Sequence, residues 1–441
     1  MKIAIIGAGW AGMAAAVEAT LAGHQAVVFE ASRAIGGRAR AVKGSLPDGT
    51  PVTLDNGQHI LIGAYDETLR LMRCVGVKPE LTLLRLPMTL LFPDGLGLQF
   101  PLWPTPLDAL GGLVRARGWS MADKWSLVRL ATGWQRQGFQ CDSHSSVSQL
   151  CESSSQRVMM DLIEPLCVSA LNTPTERASA QVFLRVMQDA LFGIQGSSNL
   201  LLPRVDLSEL FPQAAARWLS QRGGELRLGT RVHSVLRQGL QWRVQDELFD
   251  AVILATSASE SIRTLENSVR AAPESIAQQF RQWTGIAMAL QFEAITTVYA
   301  WGDGVTLAHP MLTLRSTTAT TTSCGPAAPA QFVFDRGQLG GPAGLLAFVI
   351  SASTGERQAM QAQVLAQAEQ QLGLRLQAVK TIAEQRATFA CTPALQRPVQ
   401  KIALGLVACG DYVEGPYPAT LEGAVRSAAA ALSVIDRGLD H

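Results

Sequence analysis

A short apolar run, Lys2-Ile3-Ala4-Ile5-Ile6, leads directly into Gly7-Ala8-Gly9-Trp10-Ala11-Gly12, and a small-residue stretch of helical character follows. A second apolar run, Ala26-Val27-Val28-Phe29, then ends on Glu30. Strand, glycine turn, helix, strand and acid in this order leave few folds open: it is the order of a dinucleotide-binding βαβ unit. Gly7 permits the tight turn, Gly9 lets the backbone approach a pyrophosphate, and Gly12 lets the helix lie close to the strand. The first helical turn offers N–H groups and a positive dipole end to phosphates. Glu30 is placed to accept hydrogen bonds from an adenosine ribose. A secretory leader is the competing reading of this alanine-rich start behind Lys2. Against it, the glycines interrupt the would-be apolar core, Glu18 and His24 follow, and no convincing cleavage site precedes the second strand.

Gly36-Gly37-Arg38 follows Glu30 closely and separates flavin from nicotinamide. The string from Glu30 and Ala31 to Arg38 resembles the extended motif of FAD-dependent amine oxidases and phytoene desaturases. Its glycines let the chain pass near the cofactor, and its arginine can meet a pyrophosphate or neighbouring carboxylates. A simple NAD site needs no such extension. Near the C-terminus, Leu404 to Cys409 read as a buried strand ending in Gly410-Asp411, and a long alanine-rich helix opens near Ala419-Thr420-Leu421. This resembles the segment with which flavoproteins of the superfamily hold the ribityl chain and pyrophosphate. The resemblance implies that Asp411 bonds a hydroxyl there and that backbone near Glu422-Gly423-Ala424 approaches the isoalloxazine. Between the two lie Arg231 to Val235 and Phe249 to Thr256, read as strands; in the relatives a valine at the position of Val232 lies against adenine. Three such segments in this order point to FAD.

Composition sets the remaining bounds. At 441 residues two intertwined domains are expected. A net charge of +1 with 17% charged residues argues against nucleic acid or a polyanionic substrate. Seven cysteines are scattered without CxxC or metal-ligand spacing, which implies reduced thiols in a cytoplasmic protein and no metal site. Cys409 borders a cofactor segment, so either a covalent flavin link or a buried strand thiol is open. No stretch of about 18 uncharged apolar residues marks a transmembrane helix. Hydrophobic residues nevertheless reach 47%, which suits a large apolar pocket as well as a two-domain core.

The expected fold is α/β: a Rossmann-like FAD-binding domain of the glutathione reductase type, with a second, substrate domain of antiparallel sheet plus helices. The FAD domain is assigned to 1–70, 200–265 and 400–441, the substrate domain to 71–199 and 266–399. Residues 105–195 read mostly as helices. Ala287 to Phe292, Phe332 to Phe334 and Leu345 to Ile350 read as strands, 355–372 as a helix, and Ser316 to Pro329 as a loop. Residues 103–137 carry four tryptophans and five basic residues against Asp108 and Asp123, the pattern of a membrane-surface region or of an amphipathic helix pair.

The most specific string is Asp55-Asn56-Gly57-Gln58-His59-Ile60-Leu61-Ile62-Gly63-Ala64-Tyr65. With the flavin fingerprint before it, this resembles the hydroxysqualene dehydroxylases, squalene-associated FAD enzymes of hopanoid biosynthesis and kin of phytoene desaturases. Glu164 to Pro174, Leu202 to Ser208 and Tyr417 to Gly423 extend the resemblance along the chain. The residues expected to touch FAD are Gly7, Gly9, Trp10, Ala11, Gly12, Glu30, Ala31, Gly36, Gly37, Arg38, Asn56, Gly57, Gln58, Val232, Gly410, Asp411, Thr420 and Leu421.

The resemblance implies replacement of an allylic hydroxyl on an apolar C30 isoprenoid by hydride. An acid must protonate the hydroxyl. His59 is the first candidate, because its ordinary pKa suits donation near neutrality and its loop should pass beside the flavin. Glu164 and Asp206 stand behind it. A carotenoid-type desaturase is the nearest rival. An amine oxidase fits less well: no lysine occurs between Lys124 and Lys380, and Thr420 stands where those relatives carry an aromatic. A flavin-free prenyl carrier is opposed by the intact Glu30, Gly36-Gly37-Arg38 and Gly410-Asp411. No second nucleotide fingerprint identifies the electron donor that reduces the flavin. The location expected is cytoplasmic, with peripheral attachment to the membrane through 103–137.

Overall fold

Alternation along the first strand, Lys2–Ile6, sets the layers of the N-terminal unit. In the computed structural model, which describes residues 1–104, 107–191, 193–316 and 327–437, Ile3 and Ile5 face one hydrophobic cluster and Ala4 and Ile6 the other. Six strands form the sheet, in the order Glu225–Leu228, Gln25–Glu30, Lys2–Ile6, Ala251–Leu254, Leu406–Ala408 and Lys401–Ala403. All neighbours are parallel except the last pair, a hairpin turning at Leu404-Gly405. On one face the alanine-rich helices Trp10–Leu21 and Leu421–Arg437 pack together. Small side chains allow that close approach, and alanine favours the helix. The other face carries a three-stranded antiparallel sheet over 235–249 and the helices Ala258–Val269 and Glu274–Met288.

The second unit is an antiparallel sheet ordered Met311–Thr313, Phe332–Asp335, Leu345–Ile350, Phe292–Trp301 and Gln377–Phe389. Strict alternation again divides its faces. Val298, Ala300, Leu346, Phe348 and Ile350 pack under the helix Arg357–Leu372, while Tyr299, Phe332, Phe334 and Val349 face the larger core. Helices dominate the described part of 107–191, among them Leu107–Arg115, Met121–Arg136, Glu164–Leu171 and Ala180–Leu191.

Three sequence expectations are corrected. Ala287 and Met288 end a helix, whose buried Phe280, Trp283 and Ala287 recur at helical spacing; the strand begins only at Phe292. Arg231 to Ser234 belong to no strand, because ladder pairing starts at Val235 opposite Val244. Leu404 and Gly405 form a hairpin turn, with Gly405 at φ +73°, so the strand to Cys409 is shorter than its apolar run. Most of the loop expected over 316–329 lies outside the described residues.

Candidate active site

The glycine turn is built as steric necessity requires. Gly7 adopts φ +108°, and a Cβ on Gly12 would lie 1.9 Å from the Gly7 carbonyl oxygen. Gly9 precedes the helix in an extended conformation with no side-chain cap, so the first-turn N–H groups have no acceptor within the helix. Gly36 and Gly37, both at positive φ, fold back on this turn: Gly36 N–H donates to Ala8 O at 2.8 Å, and a Cβ on Gly37 would come within 3.1 Å of Gly9 Cα. Glu30 accepts from Ala8 N–H and Ser32 N–H, each at 2.7 Å, which fixes its carboxylate at the end of the second strand.

These segments open on a cavity of about 630 Å³. Gly7, Gly9, Trp10, Ala11, Glu30, Ala31, Gly36, Gly37 and Arg38 line its N-terminal wall, and Val232 lies on the same cavity. Gly410, Asp411, Thr420 and Leu421 enter from the C-terminal segment, and Asn56, Gly57, Gln58 and His59 from the loop after the strand Pro51–Asp55. Ile295, Phe332, Phe334 and Val349 of the antiparallel sheet, with Val168 and Ala170 of the helix Glu164–Leu171, add an apolar wall. The residues present fit FAD: a glycine cradle without side chains, an anion-favouring helix start, a fixed carboxylate at the end of the second strand and a cavity that also carries an apolar wall.

Arg38 ties the walls together. It donates to Asp411 Oδ1 and to Ala387 O, each at 2.5 Å, joining the N-terminal motif, the C-terminal motif and the long strand Gln377–Phe389. Burial acts to pull the guanidinium pKa down, but the Asp411 carboxylate outweighs it and holds Arg38 above its usual value. Asn56 Nδ2 donates to Arg38 O at 3.1 Å and to Glu384 at 3.3 Å.

The loop bearing His59 is keyed from behind. Asp55 is 1% exposed, accepts from Leu207 N–H at 2.8 Å, and leaves its other oxygen 3.9 Å from Arg336. Burial pushes its carboxyl up to about 6, against the opposing pull of the Leu207 N–H and Arg336. Arg336 also donates to Gln58 at 3.2 Å, and the Tyr299 hydroxyl to Asp55 O at 2.9 Å. His59 Nδ1 lies 2.7 Å from Gly57 O. A carbonyl oxygen can only accept, so Nδ1 carries hydrogen, and Nε2 is the position that gains or loses a proton. Burial holds the imidazole pKa below its ordinary value; the Gly57 contact opposes this and the Arg38 charge adds to it.

Several expected residues lie elsewhere. Gly12 is behind the turn, packed on Gly7. Glu164 is exposed and outside the cavity lining. Asp206 caps the short helix Leu207–Leu210 by accepting from Ser208 and Glu209 N–H, also outside the lining. Glu422 is fully buried and accepts from the N–H groups of Glu67 and Thr68 and from Arg426, so it anchors the C-terminal helix. Of the segment 422–424, only Ala424 reaches the cavity. Cys409 is buried outside the lining, and burial pushes its thiol up to about 12, which leaves it protonated and without a route to a covalent link. Sequence reasoning missed Glu384, Asn172, Arg336 and Tyr299. All but Asn172 lie in the 265–400 stretch, whose alternation marks strands but no chemistry. Asn172, within the Glu164 to Pro174 segment, ends a helix at φ +45° and bonds Thr388 at 2.9 Å.

Among the described residues no helix is long and apolar enough to cross a membrane, and no His, Cys, Asp and Glu cluster could hold a metal.

The family model for flavin containing amine oxidoreductases matches residues 10–432. A hydroxysqualene dehydroxylase of Rhodopseudomonas palustris is 24% identical over 461 residues, covering 96% of this chain and 95% of that protein. A zeta-carotene desaturase of Synechocystis is 43% identical over 83 residues, 19% of this chain and 16% of that one. The chain spans less than two thirds of the length of the first curated relatives it matches. A solved oxidoreductase from Methanosarcina mazei superposes with a TM-score of 0.70 at 16% identity, covering 98% of this chain and all of that one, a likeness of fold.

Proposed function

Because the chain belongs to the flavin containing amine oxidoreductase family, with FAD as its cofactor, we propose that it is an oxidoreductase that converts hydroxysqualene to squalene. The observation that carries this reading is the continuity of the cavity. One space runs from the glycine turn, past His59, to a wall of Ile295, Phe332, Phe334 and Val349 that offers an isoprenoid only hydrocarbon. Similarity to hydroxysqualene dehydroxylases over nearly the whole chain supports the same substrate class.

The reaction breaks a C–O bond and forms a C–H bond. His59 Nε2, protonated, gives its proton to the allylic hydroxyl, water leaves, and the allylic cation accepts hydride. Bound FAD, once reduced by an external electron donor, would supply that hydride. The protein's share is to orient and to dry. Arg336, Tyr299 and Asp55 hold the His59 loop, the Arg38–Asp411 pair closes one wall, and the apolar wall keeps water from the cation. Glu384, a carboxyl lining the same cavity, is the alternative proton donor in place of Glu164 and Asp206.

A desaturase of the zeta-carotene type is the second reading, favoured by the 43% identity to such an enzyme. That match covers 83 residues and leaves most of the chain unaddressed. An amine substrate is disfavoured, because among the described residues no lysine lines the cavity and Thr420 occupies the cavity-facing position ahead of Glu422. The location we propose is the cytoplasm, at the membrane that holds the substrate.

Anaerobic incubation of photoreduced holoprotein with hydroxysqualene tests the assignment. Squalene formed in proportion to flavin reoxidised supports it. A new conjugated double bond made by oxidised protein from a more saturated polyprenyl chain would assign the desaturase instead.

A further inference from the structure

Seven of the 17 large apolar side chains that are exposed among the described residues fall within positions 102–125: Leu102, Trp103, Leu107, Leu110, Val114, Met121 and Trp125. They form one surface. Leu107, Leu110 and Val114 follow one another at three and four residues along the helix Leu107–Arg115, whose other side buries Asp108, Gly111 and Gly112. Trp103 lies on Gly111, whose missing side chain makes the room, and Arg115 sits 4.8 Å from the Trp103 ring. Lys124 donates to Val114 O at 2.7 Å, which brings the start of the helix Met121–Arg136, with Met121 and Trp125, against the end of the first. Trp119 and Trp134, in contrast, are core residues at 7% and 5% exposure.

The charges around this surface are mostly of one sign. Arg115, Arg117 and Arg129 are exposed, and none of them, nor Lys124, forms an ion pair with a carboxylate among the described residues. Asp108 is buried, and Asp123 is held in the cap of its own helix by Ser120. Beneath the surface, Ala116, Trp119 and Leu130 belong to the same hydrophobic cluster as the cavity-lining Phe332, Phe334 and Val349. An exposed apolar stripe with indole rings and a predominantly basic rim complements the headgroup and upper acyl region of an anionic bilayer.

We propose that this surface, formed by 102–104 and 107–125, docks the protein on an anionic membrane, with Leu107, Leu110, Val114, Met121 and Trp125 in the interface and the arginines on the headgroups. The docking deepens, and for its purpose rests on, the reading of an isoprenoid substrate.

The test is co-sedimentation of holoprotein with phosphatidylcholine vesicles, with and without phosphatidylglycerol. Binding is expected to the anionic vesicles, weakened by salt and by Arg115→Gln and Arg117→Gln at about fivefold each. The triple variant Leu110→Ser, Val114→Ser, Trp125→Ser is expected to lose more than roughly tenfold, with flavin absorbance and turnover of detergent-dispersed substrate unchanged. Failure of the wild type to bind anionic vesicles, or full binding by the triple variant, would overturn the proposal. So would a concentration-dependent dimer, seen by light scattering without lipid and abolished in the triple variant, since the occupant would then be a second copy. Turnover in detergent is read separately, so loss of docking and loss of the reaction assignment give different results.

Discussion

Arg38 and Asp411 stand 373 residues apart in the chain and 2.5 Å apart in the fold, one in the N-terminal glycine motif and the other in the C-terminal Gly-Asp segment. The pair joins two walls of one cavity. Asp411 is 10% exposed and Arg38 35%, so the bond is neither a surface pair nor a fully dry one. Arg38→Ala should cost about 1–3 kcal/mol, less than for a fully buried pair because of that exposure. Flavin content of the purified protein should fall with it. Equal flavin content and melting temperature in wild type and variant would show that the contact carries no weight.

Gly12 and Gly9 should fail differently on substitution. Gly12→Ala forces a methyl against the Gly7 carbonyl, so it should destabilise the fold by about 3 kcal/mol or more. A Cβ on Gly9 would meet Gly37 Cα at an ordinary 3.7 Å. Gly9→Ala should therefore fold as flavin-free protein and lose affinity where the pyrophosphate approaches. Thermal melting and flavin absorbance on the same two samples separate the cases.

Turnover should depend on protonated His59. Because its pKa is held below the ordinary histidine value by burial, the rate should fall as pH rises through that lowered value. His59→Gln should keep its flavin, lose about 10²-fold or more in the single-turnover rate, and lose this limb of the profile. A wild-type rate in the variant would pass the proton-donor role to Glu384.

Asp55 makes a stability prediction of definite sign. Its carboxyl ionises at about 6 in the folded chain against 3.8 ordinarily, so between those values the folded state holds more protons than the unfolded. Stability from this group is present below pH 4 and lost as pH rises through 6. Asp55→Asn never ionises. Its melting temperature relative to wild type should rise from pH 4 to pH 6 and then level off. A difference that does not change with pH would mean the buried carboxyl is charged throughout.

The sequence made the nucleotide half of the fold legible because its constraints are local. A strand, a turn that tolerates only glycine and a helix leave their signature within 12 residues, and the cavity takes in nearly all the residues so marked. The supports of the His59 loop were illegible for the opposite reason. Tyr299 acts on Asp55 from 244 residues away and Arg336 on Gln58 from 278; locally, Tyr299 looks like an ordinary strand residue and Arg336 like an ordinary turn residue after the strand Phe332–Asp335. Glu164 and Asp206 offer carboxyl chemistry, but neither lines the cavity. Asp206 is spent on a helix cap, a role that its spacing before Ser208-Glu209 does signal. Arg231 to Ser234 show the remaining limit: only a partner strand decides whether a segment joins a ladder.

Hydride delivery to the carbon that carried the hydroxyl can be followed by isotope transfer. Holoprotein photoreduced in deuterium oxide, where the transferable flavin hydrogen exchanges with solvent, is mixed anaerobically with unlabelled hydroxysqualene, and the lipid is analysed by mass spectrometry. Squalene with one deuterium at the former hydroxyl-bearing carbon, matched by flavin reoxidation, is the expected product. Recovery of unchanged hydroxysqualene from fully flavin-loaded protein, or of squalene without deuterium, would contradict it.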